Sequence, residues 1–270
     1  MNGEDNGQSG YQLAISRQRL ILEALERSEV LKVSQLTSSL NVSPETIRRD
    51  LRNLEREGRL RRVYGGVVAV RDTDVKPYEA RTEALRDEKE EIAGCVSRLG
   101  LGGKDKRIFI GGGSTTMSVA KHLAEGPPAI FMSNAIEIAA ILNRSGRHEV
   151  ELTGGKLHKN YELLTGDAVA ASAGRHRFDL AITSTNAIDP DLGFLEFFES
   201  EAILHRILAR HARTYVIVAD HSKFGASANH VTFGHAAVSM VVTDREPQPR
   251  FCKVFADAGV ELHWPGSKKI

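Results

Sequence analysis

Through about residue 70 the apolar residues recur every three or four places in short blocks, whereas after residue 107 they gather into runs separated by amphipathic segments. The first pattern predicts small helices and the second predicts alternating strands and helices. Leu20, Ile21, Ala24 and Leu25 form the stripe of a helix from Ser16, a capping residue, to Arg27. Leu31 and Lys32 read as extended. A second helix runs from about Ser34 to Leu40, and Asn41-Val42-Ser43 turns the chain into a third. Ser43 can cap that helix and Pro44 suits its first position, where a missing N–H costs nothing. Ile47, Leu51 and Leu54 then share one face, while Arg48, Arg49, Arg52 and Arg56 project from the opposite arc. Gly58 is suited to end the helix. Arg59–Val70 predicts a hairpin, with Leu60, Val63, Val67, Val68 and Val70 flanking a Gly65-Gly66 turn.

Residues 71–78 have the polar, proline-containing character of a linker, and Glu79 to Leu99 reads as one helix with charges outward. Ile108–Ile110, Ala129–Met132, Val150–Thr153, Leu180–Thr183, Tyr215–Ala219 and Met240–Thr243 are the strand candidates. Helical patterns near Thr116–Leu123, Ala135–Asn143, Asp167–Ala173 and Ser200–His211 separate them. Such alternation implies a mostly parallel sheet with helices on both faces. The expected fold class is α/β: a small N-terminal winged helix-turn-helix domain over residues 15–72, then a larger doubly wound, mostly parallel α/β domain over residues 73–270. Residues 1–14 offer almost nothing to bury and are expected to be a disordered tail.

Charge sharpens the division. The whole chain carries only +1, but residues 17–71 hold twelve Lys/Arg against seven Asp/Glu, while residues 72–270 hold twenty-four against twenty-six. Basic charge is concentrated where two short helices and a tight turn form the arrangement that places its second helix in the DNA major groove. The plainer alternatives are a solvated face on a core helix and a protein-interaction module. The two cysteines, Cys95 and Cys252, lie far apart, and the ten histidines are scattered, so neither a disulfide framework nor a metal site is expected. No stretch approaches a membrane span and the N-terminus lacks an apolar leader, which leads to the expectation of a soluble, cytoplasmic protein without a membrane partner.

In an open α/β sheet ligands bind beyond the carboxyl ends of the strands. The first such loop is Gly111-Gly112-Gly113-Ser114-Thr115-Thr116, which opens a helix. Backbone N–H groups, hydroxyls and a helix N-terminus together suit a phosphate or carboxylate, although a tight structural turn has the same composition. No Lys follows as in a P-loop, and no dinucleotide fingerprint is complete, so no cofactor is expected. Ser133-Asn134 and Thr153-Gly154-Gly155-Lys156 follow the next strands. Ser184–Asp189 offers hydroxyl and amide groups, and Ala219–Gly225 brings Lys223 to where its ammonium can reach an anion on the first loop.

With these residues laid out, the chain resembles the DeoR family of bacterial transcriptional regulators from about Arg17 to Asp244. The run VSPETIRRDLRNLEREGRLRRVYGG follows that family's helix-turn-helix signature almost position by position. Gly113-Ser114-Thr115-Thr116, Ser133-Asn134, Leu152-Thr153-Gly154-Gly155, Gly166, Asp189, Glu201-Ala202 and Ala219–Gly225 carry the resemblance further. It implies a sequence-specific DNA-binding regulator, by default a repressor of metabolic genes. Its partners are a double-stranded DNA operator and a second copy of itself. It also implies a sensor domain similar to sugar-phosphate isomerases and glucosamine-phosphate deaminases. The DNA-facing residues carried over are Ser43, Glu45, Thr46, Arg48, Arg49, Arg52, Arg61 and Arg62. A small anionic, sugar-phosphate-like effector is expected at Gly112, Gly113, Ser114, Thr115, Thr116, Ser133, Asn134, Asp189, Glu201 and Lys223. Gly111 stands where the family usually has Asp, His205 where a Lys is usual, and Ser184 and Ala187 where glycines are common. Phe194-Leu195-Glu196-Phe197-Phe198 replaces a more polar segment, its phenylalanines facing either the pocket or the core. With Asp189, Glu199 and Glu201 as candidate bases, an isomerase or deaminase with a DNA-binding appendage is the alternative.

Overall fold

The computed structural model describes residues 17–25, 28, 30–56, 60–63, 66–69, 78–158 and 161–267. The chain divides into two compact units between Val75 and Lys76. The expected tail, the Ser16 cap, Arg27, Gly58, Arg59, Gly65, Val70 and the linker through residue 77 lie outside the described residues.

In the first unit, α1 (17–25), α2 (Val33–Leu40) and α3 (Pro44–Arg56) close around Ile21, Leu25, Leu36, Ile47, Leu51 and Leu54, all nearly inaccessible. Asn41 adopts the left-handed conformation, φ 49°, between α2 and α3, a position that Asn tolerates better than most residues. The hairpin pairs β1 (Leu60–Val63) with β2 (Gly66–Ala69), Val63 opposite Gly66. Gly66 is therefore strand rather than turn. Leu31 exchanges both backbone hydrogen bonds with Val67, at 2.9 and 2.8 Å. A Cβ on Gly66 would stand 2.4 Å from the Leu31 carbonyl oxygen, so only glycine lets this third strand approach.

In the second unit the expected first helix is interrupted. Glu79–Leu99 is not one helix but two, α4 (Tyr78–Glu83) and α5 (Arg86–Arg98), broken at Leu85 with φ 54°. Lys89, 4 % exposed, explains the break: its ammonium caps the carbonyls of Arg81 and Ala84, which a continuous helix would have used internally.

Six of the strands are those the hydrophobic runs predict: β3 (Arg107–Ile110), β4 (Ile130–Ser133), β5 (Glu149–Leu152), β8 (Phe178–Ser184), β11 (Ala212–Val218) and β13 (Met240–Val242). With β14 (Glu261–His263) they form a wholly parallel seven-stranded sheet in the order β14-β13-β11-β8-β3-β4-β5. On one face α8 (Asp167–Gly174), α9 (Glu199–His211) and α10 (Pro249–Asp257) bury Val169, Leu204, Leu208, Phe251 and Phe255 against Phe109, Ala181, Tyr215 and Val241. Ile108 and Ile110 alternate with Phe109 and so serve the other face. There α5, α6 (Ser114–Ala124) and α7 (Ile136–Arg144) bury Ile92, Val96, Val119, Leu123, Ile138 and Leu142. Two small additions escape the hydrophobic pattern: a hairpin of β6 (Lys156–Leu157) and β7 (Leu164–Thr165), and a sheet of β9 (Ala187–Asp189), β10 (Gly193–Glu196) and β12 (His230–Phe233).

From β3 the chain steps outward through β4 and β5 on one side and through β8, β11, β13 and β14 on the other. The strand order therefore reverses between β3 and β8, and the crevice of a doubly wound sheet opens there. The loops Gly111–Thr116 and Ser184–Asp189 flank it.

Candidate DNA interface and ligand site

On α3 the apolar and cationic faces separate as the spacing predicts. The Thr46 N–H donates to Ser43 Oγ at 3.2 Å, and the two hydroxyls are 2.9 Å apart. Ser43 is thus the cap, and the Thr46 hydroxyl is held by it. Arg48, Arg49 and Arg52 are exposed. Glu45 accepts hydrogen bonds from Arg48 at 3.4 Å and Arg52 at 3.2 Å. Such exposed pairs contribute ~0–1 kcal/mol, so both guanidiniums can exchange Glu45 for phosphate or a base edge at little cost. Asp50 breaks the pattern, since it is a charged residue buried beneath the helix. It pairs there with Arg17, which also donates to its second oxygen at 3.1 Å. Arg61 and Arg62 lie on β1, opposite Val68 and Val67, but their side chains, like that of Arg56, lie outside the described residues.

In the crevice the structure sorts the expected ligand residues into two groups. Ser133 and Asn134 are fully buried. Ser133 Oγ donates to the Ile110 carbonyl at 2.7 Å and accepts the Ala135 N–H at 3.0 Å. Asn134 Oδ1 accepts the Gly112 N–H at 3.0 Å, and its carbonyl accepts the Leu164 N–H at 2.7 Å. Thr116, also fully buried, donates to the Gly113 carbonyl at 2.9 Å. These bonds tie Gly112, Thr116, Ser133 and Asn134 into the frame of the loop, because an unpaired buried polar group would be costly. Asp189 Oδ1 accepts the N–H groups of Asp191 and Leu192 at 2.8 and 2.9 Å and caps the turn from β9 to β10.

Gly113, Ser114 and Thr115 remain at the start of α6, where the first amides have no intrahelical acceptor and the helix dipole favours an anion. Gly113 has φ 141°, and a Cβ there would stand 2.5 Å from Ser184 Oγ, so the hydroxyl of β8 reaches the loop across the switch point. A Cβ on Gly111 would stand 2.9 Å from Thr183 Cγ2. A side chain at 111 would therefore press on Thr183, which is itself fixed by a 2.9 Å hydrogen bond to the Tyr215 hydroxyl. Leu163 of the β6–β7 hairpin covers Gly112, where an added Cβ would overlap its Cδ2 at 1.8 Å.

Lys223, half-buried in the turn after β11, is close enough to Lys89 for each charge to oppose the other. Burial first, then Lys223 and Arg81, hold the Lys89 ammonium below its usual pKa, while Asp220 opposes them. Arg81 lies with its guanidinium 4.1 Å from the centre of the Tyr161 ring. Beside these cations stands a buried acid cluster. His205 Nδ1 is 3.3 Å from Glu196 Oε1. Burial pushes the imidazole down, but the Glu196 hydrogen bond and charge, with Glu201, carry it above its ordinary value. Burial also raises the Glu201 carboxyl to about 7, against the pull of His205 and Arg81. Phe194 faces the core, whereas Phe198 packs edge-on against Tyr161 at 4.8 Å.

Sequence reasoning missed Arg81, Lys89, Tyr161 and the Glu196–His205 pair. Lys89 had a legible signal, because its spacing to Ile92, Ala93 and Val96 puts a lysine on the apolar stripe of α5.

A basic helix-turn-helix with a hairpin wing, together with an α/β unit whose switch-point crevice gathers amides and hydroxyls, defines a ligand-sensing DNA-binding regulator. The chain belongs to the DeoR family: residues 17–73 match the DeoR-like helix-turn-helix domain and residues 85–245 match the DeoR C terminal sensor domain. It is 30 % identical to the HTH-type transcriptional repressor CsqR of Escherichia coli K12 over 92 % of this chain and 94 % of that one. It is 28 % identical to the glycerol-3-phosphate regulon repressor of the same organism, over 90 % and 95 %. Ribose 5-phosphate isomerase A from Methanocaldococcus jannaschii aligns with 52 % of this chain and 55 % of its own at 14 % identity, TM-score 0.38. The protein is a transcriptional regulator. Among the described residues no helix is long and apolar enough to cross a membrane, and no group of His, Cys, Asp or Glu is placed to hold a metal ion.

Proposed function

We propose that the protein is a cytoplasmic repressor of sugar-metabolism genes that binds its operator as a homo-oligomer, with α3 in the major groove, and releases it when a small phosphorylated sugar enters the crevice. The observation that carries the effector class is the start of α6 at the switch point, where the first amides of the helix lie beside Ser184 Oγ, since amides on a helix N-terminus suit a phosphate; Lys223, in the turn after β11, is read as the cation that completes the cradle. Glu201 and His205 in the same unit give hydroxyl-binding groups for the remainder of the sugar. On the DNA side Arg48, Arg49 and Arg52 supply the helix contacts, with Ser43, Glu45 and Thr46 setting the helix start. Arg61 and Arg62 of the wing contact phosphate. The relatives named as repressors, one of them of a glycerol-3-phosphate regulon, support the mode and the ligand chemistry. Two half-sites read by linked modules raise the effective concentration of the second contact, which is why an oligomer is required. The test selects bound DNA from a random pool and then titrates the complex with a panel of sugar phosphates. A paired half-site released by at least one member is expected, whereas a single half-site indifferent to the whole panel contradicts the reading.

A further inference from the structure

α4 has six residues, too few to be stable as an isolated helix, so its contacts must fix it. Two cations do so. Lys89 caps the Arg81 and Ala84 carbonyls at its C-terminal end, and the Arg81 side chain lies on the Tyr161 ring. Charge joins the neighbouring groups as well, since Lys223 and Asp220 act on the Lys89 ammonium and Arg81 acts on the Glu201 carboxyl. Tyr161 belongs to the same hairpin that sets Leu163 over Gly112. In the chain α4 follows directly on residues 71–77, which join the sensor to the DNA-binding unit.

We propose that α4 transmits the ligand state of the crevice to the linker: an anion seated at the start of α6 orders the Gly111–Thr116 loop and the hairpin that lays Leu163 over Gly112, which holds Tyr161 against Arg81 and stiffens α4. This rests on the reading of the crevice as an anion site. Coupling requires only that the anion bind one state of α4 better than the other, and the Arg81–Tyr161 contact supplies that difference. Arg81 is a positioning residue here, acting through the helix that carries it.

The experiment is hydrogen exchange on the full-length protein, comparing inorganic phosphate with chloride at matched ionic strength and following residues 78–84 and 111–117. In the wild type both segments should slow, α4 by about fivefold, the lower end of ordinary couplings. Arg81→Met should keep the protection of 111–117 and lose that of 78–84; Arg81→Lys, which retains charge, should lie between and serves if the Met variant is unfolded. Protection of 111–117 with α4 unchanged in the wild type would overturn the proposal and leave the anion site standing. An α4 response that survives in Arg81→Met, or in Arg81→Lys at full size, would overturn it too. If neither segment responds, the anion site itself is wrong and the proposal falls with it.

Discussion

The two units hold their charged groups in opposite ways. On α3 Arg48, Arg49 and Arg52 stand in solvent while Ile47, Leu51 and Leu54 do the packing, so function and stability use different residues of one helix. In the sensor the polar groups are inside the fold: Lys89 caps a helix end, Asn134 ties two loops, Glu196 and His205 face each other, and Thr183 leans on Gly111. A DNA reader meets a large charged partner on its surface and can leave its cations hydrated until then. A sensor for a small anion must enclose it, and most buried polar groups around the enclosure have to find partners within the fold. Substitutions should therefore separate binding from folding in the first unit and entangle them in the second.

Leu51→Ala against Arg49→Ala is the sharpest break of that contrast. Truncating the buried leucine should destabilise the first unit by ~2–5 kcal/mol, and truncating the exposed arginine by less than about 0.5 kcal/mol. Calorimetric unfolding of the two variants, followed on the transition of that unit, gives both numbers. Next in size is Lys223→Met, which removes a charged contact worth ~1.5–3 kcal/mol to the ligand; the sugar phosphate concentration that releases DNA should rise about tenfold or more, with effector-free DNA affinity unchanged. Gly111→Asp, which restores the family residue, should cost the sensor ~1–3 kcal/mol through overlap with Thr183. Thr183→Ser, by removing the methyl in the way, should recover part of that loss in the double variant.

A smaller effect follows from the acid cluster. Glu201 is raised from 4.5 to about 7, and His205 is also raised. Both groups bind protons more tightly in the folded state than in the unfolded one. Their contribution to stability is fully present at low pH and is lost as pH rises through the folded values. The melting temperature of the sensor should accordingly fall between about pH 5 and 8. Glu201→Gln should flatten that slope, and an unchanged slope would mean that the carboxyl titrates normally.

The same contrast governs how much was legible in the sequence. α3 was open to reading because amphipathic spacing is local: Ser43, Pro44, Ile47 and Leu51 state the cap, the start and the face within nine residues. The parallel strands were legible as apolar runs, apart from β14, whose three residues Glu261–His263 carry no such run. The crevice was legible as a place, since loops after strands announce themselves, but not as a list of contacts. Whether Asn134 faces a ligand or Gly112 depends on a loop twenty residues away, and whether Arg81 matters depends on Tyr161. No periodicity encodes those meetings. Gly66 shows the same limit on a small scale, since the close approach of Leu31, more than thirty positions earlier, makes it strand rather than turn.

The central claim is that α3 reads DNA with side chains the fold does not need, and Arg48→Ala tests it most directly. Binding of the wild type and the variant is measured on a selected site and on its scrambled counterpart over a salt series. The variant should keep its melting temperature while its preference for the selected site drops by about tenfold, corresponding to the ~1–3 kcal/mol carried by a bidentate arginine–guanine contact. A folded Arg48→Ala protein that keeps both full affinity and full preference would show that this face of α3 is not the reader.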